Sequence, residues 1–473
     1  MSDFERGSGF CTRLDESSVT LCRTDRNMQE YDQLLEEIFR RFPSVQNVPF
    51  SQAYKPGLEG MRAFDEALGR PSGRLRSIHV AGTNGKGSVA NMLSSVLDAC
   101  GYKVGLYTSP HILDFRERMR IGGKMVPREW VYEFLLKWKP YFEEHSLSFF
   151  EITTGMAFKW FAHSGVDVAV VEVGLGGRLD STNIITPELS IVTTIGLDHC
   201  ALLGNSLAEI AAEKAGIFKP GVPALVGEVT PETLPVFEQK AKGPLYIVND
   251  DKAFLPSRTK TFSPEKRSKK FCPTPENEKF CFSRMDLQAE PQKKNLRTVL
   301  AAVELLKPVF PALVDTEKVT DGIVHAAARM HFHGRWELLR EEPPVIADIG
   351  HNAQALESNF RKLETISPYP PVIVYGIMAD KDLDAIIPLM PRRACWIFTT
   401  PGTARALPAE EIARRCGMPD QSVVPSVKEA VTKALAIAGK NRPVYIGGST
   451  FVVAEALKGL FGSDFEHRQE KTL

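Results

Sequence analysis

The 473-residue sequence holds no apolar run long enough to cross a bilayer, which excludes a membrane-spanning helix. Its start lacks the basic-then-apolar profile of a secretory signal, so a cytoplasmic protein is expected. An excess of either charge is missing as well, since 58 basic residues stand against 58 acidic ones. That balance gives no electrostatic ground for expecting nucleic acid or an anionic membrane as partner. Paired cysteines are absent too. The eight cysteines (Cys11, Cys22, Cys100, Cys200, Cys272, Cys281, Cys395 and Cys416) never fall in C-x-x-C spacing, so they read as reduced thiols rather than a disulfide or zinc framework. No short repeat of fixed period runs through the chain. What is present, 43% hydrophobic and 25% charged residues, is ordinary for a soluble globular protein. The length exceeds one ordinary core, so two domains are expected, with three as the alternative.

The most informative stretch is I-H-V-A-G-T-N-G-K-G-S, from Ile78 to Ser88. A short apolar run reads as a buried strand, glycines then surround Lys86, and Val89 to Leu97 carry apolar residues at helical spacing, with Gly101 as a stop. Strand, glycine loop and helix N-terminus together make an anion site, because freed backbone N–H groups and the helix dipole point at phosphate oxygens. Lys86 can neutralise the outer phosphates, and the Ser88 hydroxyl can face a magnesium ion. The string departs from G-x-x-x-x-G-K-[ST]: Gly82 lies closer, and Gly87 separates Lys86 from Ser88. The bland rival is a glycine-rich strand-to-helix turn bearing a surface lysine.

Around that loop the chain alternates strands and helices. Residues 1–27 are polar and aperiodic, which predicts a disordered extension, and a helix opens at Met28 with Tyr31, Leu34, Leu35, Ile38 and Phe39 on one face. A second helix carries Met61, Phe64, Ala67 and Leu68. Lys103–Tyr107 makes the next strand, so a parallel sheet with right-handed crossovers is expected, with ligands at the C-terminal strand ends. Ser109 falls on that rim. The charged segment Phe115–Arg120 reads as a solvated surface loop, with a substrate-covering loop as its rival. Val166–Val173 is the near-continuous apolar run of a central strand, broken by Glu172 just before Gly174. A carboxylate there is costly unless paired or holding a metal, and a magnesium ligand explains it better than a structural salt bridge. His199 ends the strand Ser190–Ile195. A capping box at Ser206 and Glu209 starts a helix that ends near Lys214, which by itself reads as a snorkelling or helix-end lysine. Residues 250–285 are polar and locally basic and read as loops or a short hairpin. Asn295 opens another helix. H-F-H-G-R-W, His331 to Trp336, marks a junction, beyond which strands ending at Asp348, Gly376, Thr399 and Gly447 build a second, smaller α/β domain.

The order of these pieces resembles the dihydrofolate synthase/folylpolyglutamate synthase family of the Mur ligase superfamily. The resemblance rests on Gly82–Ser88, T-S-P-H at Thr108–His111, R-E-R-M-R at Arg116–Arg120 and V-E-V-G-L-G-G-R-L-D-S-T-N at Val171–Asn183. It continues with L-D-H at Leu197–His199, E-K-A-G-I at Glu213–Ile217, G-R-W-E at Gly334–Glu337 and D-I-G-H-N at Asp348–Asn352. The family often has D-G-A-H-N at the last of these, and the basic segment from Arg258 to Lys270 has no counterpart in it.

The resemblance implies a P-loop ATPase domain with a parallel central sheet, residues 28–333, followed by a smaller Rossmann-like α/β domain, residues 334–473. It implies that Gly85, Lys86, Gly87 and Ser88 hold the ATP phosphates, that Asn295 contacts the nucleotide, and that Arg335 and Asp348 close over it. Ser109 and Glu172 would bind one Mg²⁺ and His199 a second, with Lys214 in carbamylated form, an anion suited to a hard cation. Lys86, Lys214 and His351 are the implied catalytic groups, and Phe149, Phe150 and Asp180 fall where a pterin-bearing substrate would lie. The implied reaction phosphorylates a substrate carboxylate with ATP and lets the amine of L-glutamate displace phosphate, on dihydropteroate and on reduced folates. A monomer acting on small molecules is expected. The alternatives are a folylpolyglutamate synthase with that single activity, a peptidoglycan ligase of the same superfamily, and a nucleotide-binding protein without ligase activity. Against the peptidoglycan ligase, too little chain precedes Gly82 for a UDP-binding domain. Against the last, Glu172, Lys214 and Asp348 are all present.

Overall fold

The computed structural model describes residues 16–42, 57–248, 260–262 and 281–462. Its first sheet forms because runs such as Ser77–Ala81 and Val168–Glu172 are buried at every position, the mark of strands covered on both faces. The strands are β1 (Ser77–Ala81), β2 (Val104–Tyr107), β3 (Met119–Ile121), β4 (Lys124–Met125), β5 (Val168–Glu172), β6 (Leu189–Val192), β7 (Ala224–Val226), β8 (Leu245–Val248) and β9 (Lys260–Phe262). Their order is β4-β3-β2-β5-β1-β6-β7-β8-β9, parallel throughout except for the β2–β3 and β3–β4 pairs. Because β9 pairs parallel with β8, the expected hairpin is not what residues 260–262 form; the rest of 250–280 lies outside the described residues.

Alternation along the strands splits the core in two. Ile78 and Val80 of β1 and Val168 and Val170 of β5 pack on the face carrying the helices Lys86–Ala99 and Gln292–Leu306. Ala169 and Val171 point to the other face, into an aromatic cluster with Phe64, Phe142, Phe158 and Phe161. The N-terminal helix also joins that cluster, through Tyr31, Leu34 and Ile38. It runs from Glu16 to Arg41 and so starts ahead of Met28, where the apolar pattern begins. No glycine or proline interrupts it, so no helix breaker separates its first turns from the packed part that begins near Met28. Residues 1–15 lie outside the described residues.

A second sheet holds β10 (Glu337–Arg340), β11 (Val345–Asp348), β12 (Val372–Tyr375), β13 (Cys395–Phe398), β14 (Gln421–Val423) and β15 (Val444–Gly447). Their order is β10-β11-β15-β12-β13-β14, with only β10–β11 antiparallel. Helices cover both faces, Ala353–Leu363 and Ala409–Cys416 on one and Val427–Ala438 on the other. The fold is α/β, with two parallel-rich sheets. Among the described residues no helix is long and apolar enough to cross a membrane. Cys100, Cys200, Cys281, Cys395 and Cys416 are free thiols.

Candidate active site

Strand β1 lies at the centre of the first sheet and its C-terminal end opens into the glycine loop. Gly82 and Gly85 both have positive φ, at 150° and 86°, and both are hemmed in. A Cβ on Gly82 would stand 1.9 Å from Thr193 Oγ1, and one on Gly85 2.3 Å from Asn295 Oδ1, so neither position admits a side chain. Threonines stitch the loop to the end of β6. Thr193 Oγ1 donates to Asn84 O at 2.6 Å, and Thr83 Oγ1 donates to Gly196 O at 3.1 Å.

The two faces of this loop carry different sets of residues. On one, Asn295 abuts Gly85, while Phe332 and Arg335 stand against Gly87. Ser88 is buried and accepts a hydrogen bond from Gln292 Nε2 at 3.1 Å, and the Arg335 guanidinium lies over the Phe332 ring at 5.1 Å. The other face opens into a pocket between the two sheets. Lys86, Ser109, Phe149, Phe150, Asp180, His199, Lys214 and His351 all line it. Residues separated by hundreds of positions in the chain thus meet at one rim.

Lys86 Nζ donates to Gly82 O at 2.9 Å and Thr83 O at 3.1 Å. Lys214 Nζ donates to the same Gly82 O at 2.9 Å. Burial pulls the Lys86 pKa down, with Glu172 and Asp198 acting against it. Burial and then the neighbouring Lys86 pull Lys214 down to about 7. At 4% exposed, Lys214 is neither snorkelling nor at the surface. Glu172 ends β5 in register with Val80 and accepts from Ser109 N–H at 3.1 Å. Burial raises its pKa, and Lys86 and the Ser109 N–H lower it.

Asp180 is held by its own loop. Its Oδ1 accepts from Thr182 N at 3.0 Å and from the Thr182 hydroxyl, and its Oδ2 accepts from Leu175 N at 2.9 Å. Phe149 and Phe150 start the helix Phe149–Ser164, capped by a reciprocal pair between Ser148 and Glu151. Phe39 packs on Phe149 with ring centroids 4.7 Å apart, and the Arg118 guanidinium sits 5.4 Å from that ring. Arg118 belongs to the segment read as a solvated loop, and that reading is overturned: Glu117, Arg118 and Arg120 are all buried. Each finds partners inside the fold. Glu117 accepts from the N–H groups of Ile112, Leu113 and Asp114, Arg118 donates to His111 Nδ1, and Arg120 donates to Met330 O.

The second sheet contributes His351, whose Nδ1 lies 3.1 Å from Ile349 O and whose pKa burial lowers to about 4. Asp348 does not line the pocket. It accepts from Trp336 N, Gly350 N and Asn359 Nδ2 at 2.7–2.8 Å, pinning the junction beside Arg335. Across the gap, Asp198 takes Lys381 Nζ at 2.9 Å, with His351 Nε2 at 3.9 Å and His199 Nε2 at 3.8 Å. Burial works against the Asp198 charge, but His199, Lys381 and His351 outweigh it and hold the carboxyl well below its usual range. Burial also lowers His199 to about 4. Asn84 bridges to Gln354 at 2.8 Å and to Asn352 at 3.0 Å.

Asp198, Lys381, Arg405, Ser449 and Thr450 line the pocket without having been singled out from the sequence. Asp198 sits inside the quoted L-D-H string beside His199, which was the available signal. The others had none, because only the sheet order brings them to the rim.

Residues 80–230 match the Mur ligase middle domain, and residues 334–450 match the glutamate ligase domain of the Mur ligases. The chain is 31% identical over 424 residues to the dihydrofolate synthase/folylpolyglutamate synthase of Bacillus subtilis, covering 86% of this chain and 95% of that one. It belongs to this family. Members are ATP-dependent ligases, and so is this chain. It is also 34% identical over 412 residues to a Haloferax volcanii protein named "probable bifunctional folylpolyglutamate synthase/dihydropteroate synthase", covering 85% of this chain but spanning only 48% of that longer one. A family structure from Yersinia pestis, a bifunctional folylpolyglutamate synthase/dihydrofolate synthase with AMPPNP and a Mn ion, matches with a TM-score of 0.71 at 26% identity, over 87% of this chain and 95% of that one.

The residues around Glu172 suit a hard divalent cation. A carboxylate 4% exposed, with a backbone N–H for partner and its pKa raised by burial, would gain from a cation beside it. Among the described residues no three His, Cys, Asp or Glu side chains converge as a ready-made metal cage.

Proposed function

We propose that this ligase joins the amine of L-glutamate to a carboxyl group of dihydropteroate and of reduced folates, through an acyl phosphate. The observation that carries the reading is the single pocket in which a phosphate loop, an aromatic wall at Phe149 and Phe150, and the second-domain cations Lys381 and Arg405 face one another. It acts as a cytoplasmic monomer on small molecules, with residues 28–333 binding ATP and residues 334–473 completing the ligase site.

ATP phosphates enter along Gly85, Lys86, Gly87 and Ser88, with Asn295 and Arg335 against the nucleotide and Asp348 fixing the turn that carries Arg335. Lys86 exchanges the Gly82 and Thr83 carbonyls for phosphate oxygens, which are stronger acceptors because they are charged. Ser109, Glu172, His199 and Lys214 would hold Mg²⁺, which neutralises phosphate charge when bound. A lysine with a pKa near 7 has a large neutral fraction at physiological pH, and the neutral amine is the form that takes up CO₂ to give a carbamate. The pteridine lies on the Phe149–Phe150 wall beside Asp180.

The acceptor carboxylate oxygen forms a bond to the γ-phosphorus and ADP leaves. The glutamate nitrogen then bonds to the acyl carbon, the C–O bond to phosphate breaks, and the amine gives up a proton. His351, neutral at pH 7, accepts the hydrogen bond of the incoming amine, and Lys381 and Arg405 take glutamate carboxylates. The side-chain contacts across the gap keep water from the acyl phosphate.

ADP release with Mg-ATP and L-glutamate, compared across dihydropteroate, tetrahydrofolate and a UDP-muramoyl peptide, tests this. Glutamylated product from both pteridine acceptors is expected. Turnover with tetrahydrofolate alone removes the dihydrofolate synthase activity, and turnover with the muramoyl peptide alone overturns the substrate.

A further inference from the structure

His79 lies in the middle of β1, three residues before Gly82, between Val171 of β5 and Ser190 of β6. It is 0% exposed, in a strand whose neighbours Ile78 and Val80 are apolar. Burial, then the charge of Lys219, lowers its pKa to about 3, so the ring is neutral. Its Nδ1 has no partner among the described residues, which disfavours a histidine at this position. A valine or isoleucine would fill a central strand without that cost. The side chain's one hydrogen bond runs from Nε2 to Thr182 Oγ1 at 2.9 Å, across 103 positions of sequence.

The protons along this contact are fixed by elimination. Thr182 has one hydroxyl hydrogen, and both oxygens of Asp180 already take backbone N–H groups, from Thr182 and from Leu175, as a carboxylate does. As a carboxylate its Oδ1 only accepts, so that hydrogen goes to Asp180. Thr182 therefore turns a lone pair to His79, and His79 carries its hydrogen on Nε2. The other tautomer would bury an N–H without an acceptor and set two lone pairs face to face. Asp180 in turn ties Leu175 to Thr182, closing the Gly174–Gly177 turn against the Phe150 ring.

We propose that His79 is a positioning residue for the acceptor wall, holding Asp180 and the Gly174–Gly177 turn through the Thr182 hydroxyl. The strand that ends in the phosphate loop thereby also orients the opposite, substrate-facing wall. The inference rests on reading that wall as the acceptor site.

The test is steady-state ADP release by His79→Phe, His79→Gln, Thr182→Val and the His79→Phe/Thr182→Val double variant, with whichever pteridine acceptor the wild type uses. His79→Phe should raise the acceptor KM about tenfold, the loss of a hydrogen bond in a chain ending on a charged group, and leave the KM for ATP within about twofold. Thr182→Val should do the same, and the double variant no worse than either single one. Glutamine, whose amide N–H reaches the Nε2 position, should restore most of the affinity. An unchanged acceptor KM, an equal rise for ATP, or additive effects would each overturn the proposal. Should the phenylalanine variant fail to fold, the glutamine and valine variants carry the same comparison. Nitrogen-15 NMR of histidine-labelled protein, with His79 assigned by its loss in His79→Gln, should show a neutral ring protonated on Nε2. A ring protonated on Nδ1, or charged at pH 7, sinks the relay even if no pteridine acceptor is turned over. A wild type that turns over none of the acceptors but shows the Nε2 tautomer removes the acceptor reading and leaves the hydrogen-bond chain standing.

Discussion

The two walls of the pocket are built on different principles. On the first-sheet side, buried carboxylates close on backbone N–H groups of their own domain: Glu117 on three of them, Asp180 on Leu175 and Thr182, Glu172 on Ser109. Backbone partners cannot swing away, so this wall keeps its shape without a ligand. On the second-sheet side, His351, Lys381, Asn352 and Gln354 reach across to Asp198 and Asn84 by side chain alone. Such contacts can be exchanged for substrate atoms one at a time. The difference teaches that one wall is held by backbone partners and the other by side-chain contacts open to exchange, one preset and one adaptable.

Four substitutions press on that division. Lys86→Met should have the largest effect, lowering kcat by about 10³-fold by removing charge aimed at the transferring phosphoryl group. Pteridine binding to the preset wall, followed by fluorescence, should stay within about twofold; a parallel loss would mean the walls are not independent.

Lys214→Met should raise the melting temperature in CO₂-depleted buffer, since it removes a buried amine. The native pKa of about 7 lies below the ordinary lysine value. The unfolded chain therefore binds more protons, and the wild type gains stability as pH rises from about 7 towards 10. The advantage of methionine should be greatest below pH 7 and shrink towards pH 10. A constant difference in calorimetry across that range would contradict the titration.

Arg405→Met acts on the adaptable wall alone. The KM for glutamate should rise about tenfold, as expected for losing a charge-assisted hydrogen bond, with the acceptor KM unchanged. A rise in both would move Arg405 to the pteridine side. The smallest effect belongs to Ser148→Ala, which removes the cap in front of Phe149 and Phe150. About 1 kcal/mol of stability should be lost in urea titration, with kcat nearly untouched.

How far the sequence reached follows the same line. Local signals were legible: the strand-to-loop geometry at Gly82, the apolar run broken by Glu172, the cap at Ser206. The helix from Glu16 was not, because its first turns carry no apolar period. The buried charges of Glu117, Arg118 and Arg120 misled, since composition reports charge and not the partners that make burial tolerable. Lys381 meets Asp198 across 183 positions, a distance no periodicity spans. Its place on the rim is decided by the strand order of two sheets.

That order also governs when activity can arise. β1 is flanked by β5 and β6, whose residues follow it by roughly ninety to more than a hundred positions. As the chain leaves the ribosome, the glycine loop emerges long before its neighbours, without Glu172, Thr193 or Lys214 beside it. Non-local parallel pairing is slow, so those partners join late. A nascent or truncated chain thus carries a phosphate loop with nothing to fix its shape. ATP turnover is therefore expected only of molecules that have completed their sheet.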